Sequence, residues 1–182
     1  MQVVRVAVVA VVLLAASLSS AGCEPERGGW AVVVEIRGDQ SAMVAVPACA
    51  GDRLRVAGVS EGGGTGGALL HGEDKPLDVA RSHLFDVSTK TVEQGRLTSD
   101  LPVVADRPFS SGAGDLEGLG RWTVSTNAWS LGFDWSDVVL EGPGVYLVQS
   151  DTSAQVVVSP IEDSGVSIAE RALAWCSEAP GE

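Results

Sequence analysis

Short apolar runs separated by turn-forming residues recur from Trp30 to the end of the chain. Within several of these runs apolar and polar residues alternate, which is typical of half-buried β-strands. Turn signals spaced about eight to twelve residues apart favour an antiparallel sandwich, here of roughly seven to nine strands. The pattern predicts strands over residues 30–37, 41–47, 53–59, 121–125, 129–135, 145–149 and 154–159.

The clearest alternation runs from Trp129 to Trp135, where Leu131 and Phe133 fill the other odd positions. Strict period two predicts that these four side chains share one buried face. Together with Trp122 the two tryptophans could instead form a platform for a sugar ring, but packing in the core is the favoured interpretation. Residues 138–140 either continue this strand or begin a new segment.

The segment between residues 68 and 120 is less regular. Its apolar pieces, Leu84–Val87 and Leu101–Val104, are separated by Gly, Pro and polar residues. We expect one or two strands and long loops there, preceded by a glycine-rich surface loop over residues 61–67.

The end of the chain has a different pattern. Ser167 and Glu170 have the spacing of a capping box, which predicts a short helix over residues 168–176, with a strand as the alternative. Tyr146, after Gly142-Pro143-Gly144, resembles the tyrosine corner of immunoglobulin-like and fibronectin-like domains. The resemblance implies an all-β fold, an antiparallel immunoglobulin-like or fibronectin-like sandwich with a short C-terminal helix.

The first residues have the pattern of an export signal. A basic start at Arg5 precedes an apolar run over residues 6–18, which is shorter than the roughly 20 residues of a membrane span. Ala21-Gly22-Cys23 resembles the lipobox of bacterial lipoproteins, which implies cleavage before Cys23, lipidation of its thiol, and attachment to the outer face of the cell membrane. The alternative is an ordinary signal and a secreted protein. We therefore expect a signal peptide over residues 1–22, a lipidated tether over 23–29 and one β-sandwich domain over 30–182.

Taken together, these segments resemble the small exported lipoproteins of uncharacterised function found in actinobacteria. The resemblance implies a location and a lipid anchor in the membrane, and it implies no activity.

The composition limits the classes of partner that the chain could bind. The formal net charge is −12, and removal of residues 1–22 takes away only one charged residue, Arg5. So acidic a chain lacks the basic surface that nucleic acid requires. With Cys23 assigned to lipid, Cys49 and Cys176 remain as a pair in an oxidising compartment, which predicts a disulfide between them.

Motifs for catalysis and metal binding are weak. The only histidines are His71 and His83, neither lies in an H-E-x-x-H motif, and no G-x-S-x-G elbow occurs. We expect two solvent-facing loop histidines, no cofactor and no metal.

Two functions remain open. The favoured one is a non-enzymatic surface module that binds a protein or another component of the cell envelope. The other is a cell-envelope hydrolase that uses His71 or His83 with a nearby carboxylate. We expect binding in the loops of residues 61–120, where acidic groups suit a basic partner, although this stretch could be only a solvated connection. The candidate binding residues are Glu61, His71, Glu73, Asp74, Asp78 and Asp115.

Overall fold

A computed structural model shows a mostly β protein built from two five-stranded antiparallel sheets and a C-terminal helix. The structure describes residues 31–39, 41–61, 67–88, 90, 97, 99–109, 116–150, 155–162 and 164–178. Cys23 and the predicted signal and tether lie outside these residues. In the described part, no helix is long and apolar enough to cross a membrane.

The first sheet joins the beginning of the domain to its end. Its strand order is β10-β9-β1-β2-β5, so β1 lies between a hairpin partner and a strand more than a hundred residues away. The predicted β1–β2 and β9–β10 hairpins are both confirmed. The strands are β1 (Ala31–Ile36), β2 (Ser41–Ala48), β5 (Arg81–Ser88), β9 (Gly144–Ser150) and β10 (Val156–Pro160).

The second sheet is formed by the middle of the chain, in the order β6-β4-β3-β7-β8. A 3-10 turn at Glu117–Leu119 leads into β7, and a short helix, α1 (Trp135–Val139), follows β8. Residues 138–140 therefore belong to a helical turn and do not extend the strand. The strands are β3 (Leu54–Ser60), β4 (Ala68–His71), β6 (Val103–Arg107), β7 (Arg121–Thr126) and β8 (Ser130–Asp134).

Large apolar side chains from both sheets form the main core. Trp129, Leu131, Phe133 and Trp135 are all buried in it, so the predicted shared face is confirmed. Edge-to-face ring contacts run from Phe85 through Trp122 and Trp135 to Phe133, with centroids 5.2–6.1 Å apart. Trp122, Trp129 and Trp135 are all buried, so they form no exposed aromatic platform at this strand.

The C-terminal helix, α2 (Ile168–Glu178), covers the outer face of the first sheet. Its residue Ala172 packs on Val33 and Ala45 in a second, smaller apolar cluster. The predicted disulfide is present: Cys49, just after β2, is bonded to Cys176 of α2, with Cα atoms 5.2 Å apart. The helix is therefore fixed to the sheet by packing and by a covalent bond.

The prediction for residues 68–120 was incomplete. The described part of this stretch contains three strands, β4, β5 and β6, and the described chain has ten strands against the seven to nine expected. Two of the three, β4 and β6, are short. Val103 and Val104 of β6 are both exposed, and β4 is mostly buried, so neither strand shows the expected alternation of buried and exposed positions.

Antiparallel pairing gives the sandwich two distinct ends. We call the end where β1 begins the proximal end; it also carries the turn at residues 49–53 and the segment 72–80. The distal end carries the turn at residues 37–39, the paired residues Glu61 and Gly67, and residues 135–143.

Candidate functional site

The predicted acidic residues do not form one cluster. Glu61 lies at the distal end, whereas Glu73, Asp74 and Asp78 lie at the proximal end. Asp115 lies outside the described residues. A single recognition site made of all these groups is therefore not assembled by the fold.

Glu61 pairs with Gly67. Its Oε2 accepts a hydrogen bond of 2.9 Å from the main-chain N–H of Gly67, and its own N–H donates to the Gly67 carbonyl at 2.8 Å. The carboxylate therefore holds the backbone at residue 67, whereas residues 62–66 of the predicted glycine-rich loop lie outside the described residues.

His71 is a core residue, so the expectation of a solvent-facing loop histidine was wrong. It ends β4 on the same face as Leu69, is almost fully buried, and packs its ring edge-on against Phe85. Its Nδ1 lies 2.8 Å from the Leu101 carbonyl oxygen. Because a carbonyl only accepts, Nδ1 carries the proton in this contact.

His83 is also buried, with no exposed surface, and it too contradicts the loop expectation. In β5 it shares the inward face with Phe85, because alternate residues of a strand point to the same side. Its Nε2 lies 3.2 Å from Glu73 Oε1, in a contact that is not aligned as a hydrogen bond, and its Nδ1 lies 3.3 Å from Asp100 Oδ1. The imidazole is thus held between two carboxylates.

Glu73 has a structural role at the proximal end. Its Oε2 accepts a 3.0 Å hydrogen bond from the main-chain N–H of Leu54, and its N–H donates to the Leu54 carbonyl at 2.7 Å. The Arg53 guanidinium donates to the Glu73 carbonyl at 2.9 Å. Glu73 therefore contacts β3 through Leu54 and β5 through His83, and only 9% of its side chain is exposed.

Asp74 and Asp78 are the two candidate residues that remain available on the described surface. Both are exposed, in the segment that crosses the proximal end. They flank Leu77, which is buried and whose N–H donates to the Asp52 carbonyl at 2.8 Å. The backbone between the two carboxylates is thus fixed, while the carboxylates themselves face solvent.

His83 has no exposed surface through which a substrate could reach its ring. A general base must come within hydrogen-bond reach of the proton it removes, and a ring without exposed surface meets only its protein neighbours. Within the described residues there is also no group of three His, Cys, Asp or Glu side chains that could hold a metal ion.

A groove on the outer face of the first sheet was not predicted. It measures about 380 Å³ and is lined by side chains from β2, β5 and the segment before β6. We call it the β5 groove; its lining residues are Met43, Ser82, Leu84, Asp86, Ser99 and Asp100. The alternation of Ser82, Leu84 and Asp86 was the available sequence signal, since it places these three on one face of a strand.

No family model, no curated protein and no solved structure matches this chain.

Proposed function

We propose that this protein is a membrane-anchored surface lipoprotein, attached through Cys23, that acts as a non-enzymatic binding or structural module. The observation that carries the proposal is the Cys49–Cys176 disulfide. Such bonds form and persist in oxidising compartments, which supports export, and the lipobox-like segment before Cys23 supports anchoring after export.

The fold supports this arrangement. The tether of residues 23–29 precedes β1, and β1 begins at the proximal end, so anchoring would turn that end towards the membrane. The distal end would then face away from the membrane. Asp74 and Asp78 would lie on the membrane-facing side, within reach of a basic envelope component close to the bilayer.

Anchoring is tested by replacing Cys23 with Ala and following the protein into the detergent phase. We expect wild type to partition with detergent and the variant to be unprocessed or shed, because a lipidated thiol provides the attachment. Ser17→Ala is the matched control, since it changes the same segment of the chain and keeps the Cys23 thiol. Retention of Cys23→Ala in the detergent phase as for wild type would refute lipid anchoring.

Binding is tested by crosslinking in intact cells, followed by identification of the captured partner. The pair Asp74→Asn/Asp78→Asn should reduce capture while the melting temperature stays close to that of wild type, because both side chains are exposed. Capture should also weaken as salt rises. Asp106→Asn, an exposed carboxylate of β6, is the control variant. Unchanged capture in the double variant would remove the proximal carboxylates from the binding surface.

The second candidate function is a cell-envelope hydrolase that uses His83. It is favoured by one observation, the position of the imidazole between Glu73 and Asp100. Its burial argues against it. Purified protein with His71→Gln and His83→Gln should release the same amount of soluble product from envelope material as wild type; a loss of release with an intact circular dichroism spectrum would favour the hydrolase.

We also propose that the sandwich is immunoglobulin-like or fibronectin-like. The support is the tyrosine corner, in which the Tyr146 hydroxyl donates to the carbonyls of Glu141 and Gly142, at 3.0 and 2.8 Å. A Cβ at residue 144 would lie 2.9 Å from that hydroxyl oxygen, so the corner accommodates glycine there. A Tyr146→Phe variant whose amide hydrogen-exchange protection at residues 141–146 equals that of wild type would remove this support.

A further inference from the structure

We propose that residues 99–102 form a strap that acid releases, and that protonation of His71 is the event that opens it. The strap directly precedes β6 and connects the two sheets at one side of the sandwich, where β5 lies near β4. Both histidines of the chain contact it. The inference rests on contacts within the fold and is independent of the proposed anchoring and binding.

Each histidine fixes the strap to a different sheet. Asp100 Oδ1 lies 3.3 Å from Nδ1 of His83, a residue of β5 in the first sheet. The carbonyl oxygen of Leu101 lies 2.8 Å from Nδ1 of His71, which ends β4 in the second sheet. The strap therefore closes this side of the sandwich through two contacts that each depend on an imidazole.

The strap also covers part of the core. The Leu101 side chain is buried in the main apolar cluster, to which Phe85 also belongs. The His71 ring is almost fully buried and packs edge-on against Phe85, with ring centroids 6.0 Å apart. Movement of Leu101 out of this cluster is therefore the local event that would bring water to His71.

The closed strap satisfies only the neutral form of His71. Nδ1 donates its proton to the Leu101 carbonyl, so in the neutral ring Nε2 carries a lone pair. Nε2 is buried and has no hydrogen-bond partner among the described residues. Protonation would place a second N–H and a positive charge at this position, and burying either without a partner is costly. An open strap would let water supply the acceptor.

The ionisable groups around His71 do not compensate such a charge. Glu73 and Asp100 both contact the other imidazole, since their oxygens lie 3.2 and 3.3 Å from the ring nitrogens of His83. Asp106 of β6 is exposed and is paired two positions away along β4. The neighbours of His71 on the adjoining strands are not titratable: they are Ala57, Phe85 and Val103.

Acid therefore favours the open strap. The closed form keeps His71 neutral and the open form lets it charge, so the open form binds the proton more readily and the closed form loses stability as the pH falls. His83 responds differently, because both of its nitrogens already face carboxylate oxygens that would compensate a positive charge. His83 thus holds the strap, whereas His71 releases it.

The test measures amide hydrogen exchange of the full-length protein at about pH 7.5 and about pH 5.5, a range in which histidine changes charge and most carboxylates stay ionised. The reporter is the Gly72 N–H, which donates to the Pro102 carbonyl of the strap at 3.1 Å. After correction for the intrinsic exchange rate, its protection should fall about tenfold, the ratio for a histidine that is ordinary in the open form and neutral in the closed form. Amides of β1 should keep their protection, because a local opening leaves the central strand paired.

Two variants separate the roles of the histidines. His71→Gln keeps a side-chain N–H for the Leu101 carbonyl and cannot take up a charge, so the fall in Gly72 protection should disappear. His83→Gln should lower the protection at both pH values and keep the ratio between them, because His71 is intact. Equal Gly72 protection at both pH values in wild type would overturn the proposal, as would a fall of wild-type size in His71→Gln. An equal fall in β1 would also overturn it, since that would show global unfolding.

NMR of the imidazole nitrogens in wild type tests the same point without a substitution. In protein with a protected Gly72 amide, His71 should carry its proton on Nδ1 and a bare lone pair on Nε2. The charged form should appear only as that protection is lost. A charged His71 ring in protein whose Gly72 amide stays fully protected would show that the closed strap accepts the charge, and it would overturn the proposal even if neither variant folded.

Discussion

One buried carboxylate, that of Glu73, links the two sheets at the proximal end. Oε2 accepts from the Leu54 N–H in the second sheet, and Oε1 lies 3.2 Å from His83 Nε2 in the first. A carboxylate in such a place must be paired, because removing a charge from water is costly. The Leu54 N–H supplies that partner for Oε2, and Oε1 lies against the imidazole of His83, so the carboxylate meets polar groups where this segment crosses the end of the core.

Replacing Glu73 with Ala should lower the free energy of unfolding by about 1–3 kcal/mol, because the Leu54 N–H would lose its acceptor in a part-buried setting. Glu73→Gln should have a smaller effect, since its amide oxygen still accepts that bond. Asp74→Ala, next in sequence and exposed, should stay within about 0.5 kcal/mol of wild type. Urea denaturation measures all three. Equal stability of Glu73→Ala and Asp74→Ala would contradict the structural role.

The roles of individual polar residues were poorly predictable from sequence. His71 and Glu73 lie beside Gly72 and charged residues, which favour a loop in a local analysis, and His83 follows the polar pair Arg81-Ser82. Their burial depends on partners distant in sequence: the Leu101 carbonyl, Asp100 and the Leu54 N–H. Tyr146 was different, because the turn that precedes it in sequence supplies the carbonyls that its hydroxyl reaches.

The hydroxyl of Tyr146 should contribute to the stability of the tyrosine corner. Tyr146→Phe keeps the buried ring and removes the hydroxyl that donates to the carbonyls of Glu141 and Gly142. We expect a loss of about 0.5–1.5 kcal/mol in the free energy of unfolding, the usual net value of a hydrogen bond. Chemical denaturation checks it. A variant as stable as wild type would show that water replaces the hydroxyl without loss.

Among the helices and strands, α2 has the clearest signal in the local sequence. Ser167 and Glu170 form the predicted capping box: the Glu170 N–H donates to Ser167 Oγ at 3.3 Å, and the Ser167 N–H donates to Glu170 Oε2 at 3.1 Å. The Ser167 hydroxyl also donates to Glu170, and these bonds hold the pKa of the Glu170 carboxyl below its ordinary value. The bonds are local in sequence, so the start of the helix could be predicted.

A lowered pKa in the folded state makes the cap sensitive to acid. The unfolded chain binds the proton more readily, so the stabilisation by ionised Glu170 is present above the ordinary pKa of 4.5 and is lost as pH falls through the lower folded value. Wild type should therefore melt at a higher temperature than Glu170→Gln at neutral pH, and the difference should shrink in acid. Thermal unfolding followed across this pH range measures it. A difference that grows as the pH falls would contradict the sign.

Strand prediction succeeded where an apolar or alternating run was long and failed where strands were short. β1, β2, β3 and β7–β10 follow their apolar patterns closely. β4 has four residues, and β6 has five between Pro102 and Pro108, so neither offers enough positions for a period to be recognised. Among the described strands, β6 pairs only with β4, and an edge strand with exposed valines lacks the buried face on which the pattern depends.

At the scale of the whole molecule, pairing between distant parts of the chain assembles the first sheet. The central position of β1 requires β9, and nothing local in sequence specifies that pairing. The pairing of Cys49 with Cys176 could be predicted, because only these two cysteines remain when Cys23 is assigned to the lipid anchor. The same bond links the end of β2 to α2, and the loop that it closes contains eight of the ten described strands.

Removing this disulfide should have the largest effect of the changes considered. The bond spans 127 residues, and loop-closure entropy alone gives on the order of 4–5 kcal/mol, of which native proteins commonly show about 2–5. Cys49→Ser/Cys176→Ser should therefore unfold at a markedly lower urea concentration, with α2 opening most readily because it is held by the small cluster around Ala172. Reductant should lower the wild-type midpoint to that of the double variant and leave the variant unchanged. If the wild-type midpoint were the same with and without reductant, the bond would contribute nothing to stability.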